Sequence, residues 1–206
     1  MTDTRSEFSD LLWVFGPITA VVFAIVAILV AGIVVLSRRR ERDPGWRSAW
    51  PIAEAAYASV LLILVVVLVV FTFRAEGRVD AISDDPGLEI AVTGFQWQWS
   101  FTYPNGVTII GARDDPPDLV VPAKTTIKFS LTSRDVVHSF WVPHVRFKRD
   151  AFPDHVNEFN LIFPDVGRFA GRCAEFCGLR HSNMDFDVVV LDRGSFDAWM
   201  AQRVSS

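Results

Sequence analysis

Cysteine and histidine are scarce in this chain: 206 residues carry two of the first and four of the second. The C-x-x-C spacing usual for a redox dithiol is absent, and so is C-x-x-C-H, which excludes a covalently attached haem of c type. Charge is missing from Leu11 to Ser37 and again from Ala55 to Phe73. A soluble core helix would carry a polar stripe every three or four residues, and neither run has one. Each reaches the roughly 20 apolar residues needed to cross the hydrocarbon core of a bilayer. Two transmembrane helices are expected, over about residues 11–37 and 52–73. Neither contains histidine, so neither offers an imidazole inside the membrane. Internal repeats and low-complexity tracts are lacking too.

The flanks of the first run decide what kind of segment it is. Ahead of it stand Arg5 and three acids, Asp3, Glu7 and Asp10, the wrong sign for a signal-peptide n-region. It ends in Arg38-Arg39-Arg40 rather than a small-residue cleavage site, so no cleavable leader is expected. The connection Ser37 to Glu54 holds Arg38, Arg39, Arg40, Arg42 and Arg47, and short arginine-rich loops stay on the cytoplasmic side. Both termini, and everything after Phe73, are therefore expected outside, in an oxidising compartment where a disulfide must be considered. The expected organisation is a two-helix hairpin over 1–80 and an extracytoplasmic domain over 81–206. A net charge of -4 gives no reason to expect a nucleic-acid partner.

From about Arg74 onward prolines, glycines, β-branched and aromatic residues return. Leu88 to Tyr103 reads as one or two strands, because Phe95, Trp97, Trp99, Phe101 and Tyr103 alternate with polar residues. Further strands are predicted at Thr125–Leu131, Val136–Val142, Glu158–Phe163, Arg168–Arg172 and Asp185–Leu191, with a short closing helix over Gly194–Gln202. Turn signals at Pro104-Asn105-Gly106, Asp114–Asp118, Pro122-Ala123 and Pro164–Gly167 separate them. Short strands so spaced predict an all-β sandwich or barrel.

What is present, against this scarcity, is concentrated. Both thiols, one imidazole and one thioether lie in CAEFCGLRHSNM, residues 173–184. Four readings fit parts of it. A disulfide between Cys173 and Cys177 leaves His181 and Met184 unexplained. Structural zinc has little use for a thioether, and a redox dithiol has the wrong spacing. Copper, which favours thiolate, thioether and imidazole, accounts for every residue if a second imidazole comes from elsewhere. His138, flanked by apolar residues in Asp135-Val-Val-His-Ser-Phe-Trp-Val-Pro143, is the candidate; His144 and His155 sit among charges and prolines and read as loop residues. The competing role for His138 is a hydrogen-bonded core histidine.

The sequence resembles subunit II of the haem-copper cytochrome c oxidases. The likeness rests on CAEFCGLRHSNM, on the Asp135–Pro143 segment, on Gly94-Phe-Gln-Trp97-Gln-Trp99-Ser, and on two helices preceding a β-domain. It implies a dinuclear copper (CuA) centre in a cupredoxin-like domain. Cys173 and Cys177 would bridge two copper ions, His138 and His181 would each bind one, and Met184 and the backbone carbonyl of Glu175 would be weak axial ligands. The Glu175 carboxylate would reach a magnesium ion shared with subunit I, an assignment consistent with hard oxygen ligation. Trp97 would receive the electron from cytochrome c, although a tryptophan on an apolar stripe is also a good core residue. Glu54, at the start of the second helix, would mark the entrance of a proton path into subunit I.

The implied function is acceptance of electrons from cytochrome c and their transfer to haem in subunit I, where oxygen is reduced to water. Partners would be subunit I and further oxidase subunits, the one-electron donor, and the plasma membrane of a prokaryote. Docking of a lysine-rich donor would use Asp114, Asp115, Asp118, Asp154 and Glu158, with Asp84 and Asp85 nearer the membrane. Arg134, where relatives often carry an acid, and Asp154, where they often carry glycine, depart from the family pattern. Two other functions keep the ligands: the CuA subunit of a nitric oxide reductase, and a membrane-anchored copper carrier.

Overall fold

The computed structural model describes residues 3–39, 51–112 and 115–204. Arg40, Arg42 and Arg47 of the expected cytoplasmic loop lie outside the described residues, as does Asp114. Ser9–Glu76 forms one compact unit; Met1–Phe8 together with Gly77–Ser206 forms the other.

Helix α1 runs from Thr4 to Arg39 and α2 from Pro51 to Val79, each extending past its uncharged stretch. The extension of α1 has a local cause. Asp3 caps it, its Oδ1 accepting the Arg5 N–H at 2.9 Å and its carbonyl accepting those of Ser6 and Glu7. The most apolar 18-residue windows within Thr4–Gly32 and Ala55–Val79 have mean hydropathies of 2.7 and 2.8, and none of either window is buried. Both are long and apolar enough to cross a membrane.

The β-unit is a sandwich of two five-stranded sheets. One has the order β3-β2-β1-β5-β8, where β1 is Leu88–Phe95, β2 Gln98–Thr102, β3 Thr108–Ile110, β5 Ile127–Ser133 and β8 Asn157–Leu161. The other has the order β4-β10-β9-β6-β7, where β4 is Asp118–Pro122, β6 His138–Val142, β7 Phe147–Ala151, β9 Gly167–Cys173 and β10 Asp185–Leu191. Alternation puts Ile127, Phe129 and Leu131 of β5, and Phe186, Val188 and Val190 of β10, into the shared core. Aromatic rings fill its centre, with Phe140 stacked on Phe186 at 4.8 Å and Phe129 on Phe159 at 5.3 Å. The buried Tyr103 hydroxyl donates to the Val120 carbonyl at 2.8 Å and accepts its N–H at 2.9 Å, tying β4 to the chain leaving β2. Helix α3, Arg193–Val204, is capped by Asp192 and sinks Phe196 into one end of the core.

The expected sandwich is the observed one, with two adjustments. Leu88–Tyr103 is two antiparallel strands, since the chain reverses at Gln96-Trp97 while the apolar alternation continues through the turn. Three strands escaped prediction: β3, β4 and β7. All three are sheet edges. Edge strands are short, proline-bounded or charged because such features discourage pairing with another chain; β4 follows Pro117 and ends on Pro122, and β7 reads Phe-Lys-Arg-Asp-Ala.

Candidate metal centre

One end of the sandwich gathers the soft ligands. β6 begins with His138 and β9 ends with Cys173, and the two strands pair with Phe140 opposite Cys173. His138 is completely buried, with the Trp99 ring edge-on at 6.1 Å. Gly94 of β1 makes room for it: a Cβ there would stand 3.1 Å from the imidazole and 3.2 Å from Trp99. Beyond β9 the chain loops out and returns. Cys173 N–H donates to the Met184 carbonyl at 3.0 Å and Ala174 N–H to Ser139 at 2.9 Å, closing the base of the loop. Gly178, at φ 116°, turns the chain after Cys177, and a 3-10 turn over His181–Asn183 brings His181 and Met184 back to the thiols.

The two Sγ atoms lie 3.8 Å apart as free thiols. Each has its own imidazole: His138 Nδ1 is 3.9 Å from Cys173 Sγ, and His181 Nδ1 is 3.7 Å from Cys177 Sγ. Each also has a weak donor, the Glu175 carbonyl 3.3 Å from Cys173 Sγ and Met184 Sδ 3.7 Å from Cys177 Sγ. All six residues named from the sequence therefore converge. Two donors on one tetrahedral metal, at bonds of about 2.0–2.3 Å, stand about 3.3–3.8 Å apart. The observed separations match, and the thiolate–imidazole–thioether set suits copper.

The two thiols differ electrostatically. Burial drives Cys173 upward, but hydrogen bonds involving His138, the backbone of Ser139 and Glu175, and His181 outweigh it and bring the thiol down to about 7. Burial, then the negative charge of Cys173, pushes Cys177 up to about 12. Burial also lowers His138, yet Cys173 and Asp135 outweigh it and raise the imidazole above its ordinary value. Without metal the pair holds one thiolate readily and resists the second, so a bound soft cation must displace the Cys177 proton.

Trp97 sits half-buried in the β1–β2 turn, and its indole Nε1 donates to the Cys177 carbonyl at 3.2 Å. Trp99 is wholly in the core. The Glu175 side chain is exposed while its carbonyl faces Cys173. Glu54 lies in the first turn of α2, in the helical unit. Several acids expected at a docking face are engaged: Asp118 with Arg168, Glu158 with Lys128, and Asp154 with His155. Sequence reasoning missed Asp135 and Gln96 as site residues. Asp135 Oδ1 lies 2.8 Å from His138 Nε2, and Gln96 Nε2 donates to the Cys177 carbonyl at 2.8 Å. The signal for the first was its spacing, three residues before a candidate ligand.

Residues 112–191 match the family described as cytochrome c oxidase subunit II, periplasmic domain. Over 213 residues the chain is 30% identical to a protein of Rickettsia bellii named probable cytochrome c oxidase subunit 2, covering 96% of this chain and 78% of that one. The chain belongs to the cytochrome c oxidase subunit 2 family. A Streptomyces avermitilis protein of the same name is 34% identical, over 80% of this chain and 66% of the relative. One from Corynebacterium glutamicum, cytochrome c oxidase subunit 2, is 31% identical over 74% of this chain and 58% of the relative. The chain thus spans about three-fifths to two-thirds of those two relatives' length. The crystallised periplasmic domain of subunit II of cytochrome oxidase from Bradyrhizobium japonicum is 32% identical. It superposes with a TM-score of 0.54, covering 59% of this chain and 96% of that domain. This member of the family combines two helices long and apolar enough to cross a membrane with a cupredoxin-like sandwich, and a His/Cys cluster lies at one end of that sandwich.

Proposed function

We propose that this chain accepts single electrons at a dinuclear CuA centre and passes them to haem in the catalytic subunit of a haem-copper oxidase. The observation that carries the reading is the pairing of ligands: two thiols 3.8 Å apart, each with a separate imidazole and a separate weak donor. A mononuclear carrier site would need only one such half. Copper held by Cys173, Cys177, His138, His181 and Met184 would supply one-electron redox chemistry. The protein's part is to hold the ligands still. His138 is locked between Trp99 and the Gly94 backbone, and the ligand loop is stapled at its base, so little rearrangement accompanies a change of charge.

The remaining assignments follow from the same face. Trp97 receives the electron from a cytochrome c or similar donor; its hydrogen bond to the Cys177 carbonyl and its partial exposure support this. The exposed Glu175 carboxylate is free to bind magnesium at a joint with subunit I, a hard-ligand role consistent with its chemistry. Glu54 stands at the head of α2, where a proton path into subunit I would open. The arginine-rich connection supports a topology with residues 81–206 and both termini outside the plasma membrane of a prokaryote, and residues 1–80 forming the anchor.

Copper analysis and spectroscopy of the full chain in detergent test the reading. Two copper ions per chain, a seven-line delocalised EPR pattern and near-infrared absorption are expected. One copper per chain with a four-line spectrum would instead make the protein a mononuclear carrier.

A further inference from the structure

The carboxylate of Asp135 is bound from three segments. Oδ1 lies 2.8 Å from His138 Nε2 and accepts the Val136 N–H at 2.7 Å, with the Ser133 hydroxyl 3.4 Å away. Oδ2 accepts the Gln96 N–H at 2.7 Å. An ionised carboxylate has only acceptors to offer, so in the neutral His138 imidazole the proton sits on Nε2 and Nδ1 keeps the lone pair. That lone pair is on the Cys173 side of the ring. The tautomer needed for ligation is thus set by the protein.

The same carboxylate reaches the other half of the site. Gln96, whose backbone Asp135 holds, donates its side chain to the Cys177 carbonyl, and Trp97 donates to the same oxygen. The β1–β2 turn is therefore tied to His138 through Asp135 and to Cys177 directly. His181 has no carboxylate partner among the described residues, so the two imidazoles are not equivalent.

Building on the CuA reading, we infer that Asp135 is a positioning residue: it fixes and polarises His138, lowers the reduction potential of the centre, and couples the Trp97 turn to the His138 half. A carboxylate hydrogen-bonded to a ligating imidazole increases its donor strength, which favours the more oxidised metal. Asparagine cannot replace it. Both oxygens accept, and an amide would turn its NH2 toward either the Gln96 N–H or the His138 side.

The test uses the full chain, as parent, Asp135→Asn, Asp135→Glu and, as a remote control, Asp197→Asn, whose carboxylate pairs with the exposed Arg193. Midpoint potential, copper affinity and the exchange rate of the His138 Nε2 proton in paramagnetic NMR are read for each. Asp135→Asn is expected to raise the potential, to speed proton exchange, and to weaken copper binding by about 10- to 100-fold. Asp135→Glu should recover part of each effect, and Asp197→Asn should match the parent. Melting of the metal-free chains identifies any variant that fails to fold; Asp135→Glu then supplies the comparison. Unchanged potential and proton exchange in a folded, two-copper Asp135→Asn chain would overturn the inference. A parent chain that never binds two copper ions would overturn the CuA reading instead.

Discussion

The Trp97 indole donates its N–H to the carbonyl oxygen of Cys177, 3.2 Å away, so the half-buried aromatic in the β1–β2 turn is bonded directly to the backbone of one of the two thiols. Trp97→Phe keeps the ring and removes the bond. Gln96 still donates to the same oxygen at 2.8 Å, so the loop should hold its place. A lost hydrogen bond between neutral groups costs about 1 kcal/mol. The expected outcome is an unchanged copper count and EPR pattern, a small loss in melting temperature, and a much slower oxidation of the donor in stopped-flow. An unaltered oxidation rate would move electron acceptance away from Trp97.

Gly94 is the second lever. A methyl group there would stand 3.1 Å from the His138 ring and 3.2 Å from Trp99, both in the fully packed core. Overpacking of this kind costs roughly 1–3 kcal/mol. Gly94→Ala should therefore melt earlier and also distort the copper EPR signal, because the group that must yield is the proposed ligand His138. At Gly194 an added Cβ meets only Asp192 Oδ1, at 3.5 Å, and Gly194→Ala should leave the signal alone. Equal spectra for the two variants would show that His138 does not depend on Gly94.

These residues also mark what the sequence reveals and what it hides. The soft ligands were legible because chemistry and spacing coincide: Cys173, Cys177, His181 and Met184 share one segment, and His138 is the histidine with apolar neighbours. Asp135 and Gln96 were hidden because their roles are made in space, between the β1–β2 turn, the chain before β6 and the ligand loop. The alternation from Phe95 to Tyr103 concealed a reversal, since a turn residue that packs under the metal loop is as apolar as a strand residue. Edge strands β3, β4 and β7 carry weak patterns because strong ones would invite unwanted pairing.

A pH-dependent contribution to stability is expected where the N-terminal residues meet the sandwich. Arg5 Nη1 lies 2.9 Å from Asp165 Oδ2, which is also 3.2 Å from His144 Nε2. The Arg5 hydrogen bond, aided by charge on Arg5 and His144, holds Asp165 below its ordinary value of 3.8. A carboxylate depressed in the folded state adds stability above its ordinary value and loses it as pH falls through the folded one. The full chain should melt higher than Asp165→Asn at neutral pH, and the gap should close on acidification below the usual carboxylate range. Salt should narrow it too, because the pair is exposed. A gap that persists in acid would assign the difference to packing.

The thiol pair supplies the last prediction. At 3.8 Å the sulfurs need to approach only to about 2.05 Å to form a disulfide, and they share a loop whose base is already closed. Cys173, at about 7, is the nucleophile, while Cys177, up to about 12, stays protonated. The metal-free chain, exposed to an oxidised low-molecular-weight thiol, should lose two hydrogens by mass and stop taking up copper. A dithiol reductant should restore uptake. The thiolate fraction of a group with a pKa of about 7 rises about tenfold from about pH 6 to about pH 8, and the rate of the first exchange should follow it. Cys177→Ser should keep that rate and stop at the mixed disulfide, whereas Cys173→Ser, in which burial still holds the Cys177 thiol up, should react more slowly near neutral pH. Equal reactivity of the two single variants would mean that the His138 side of the centre does not activate its thiol.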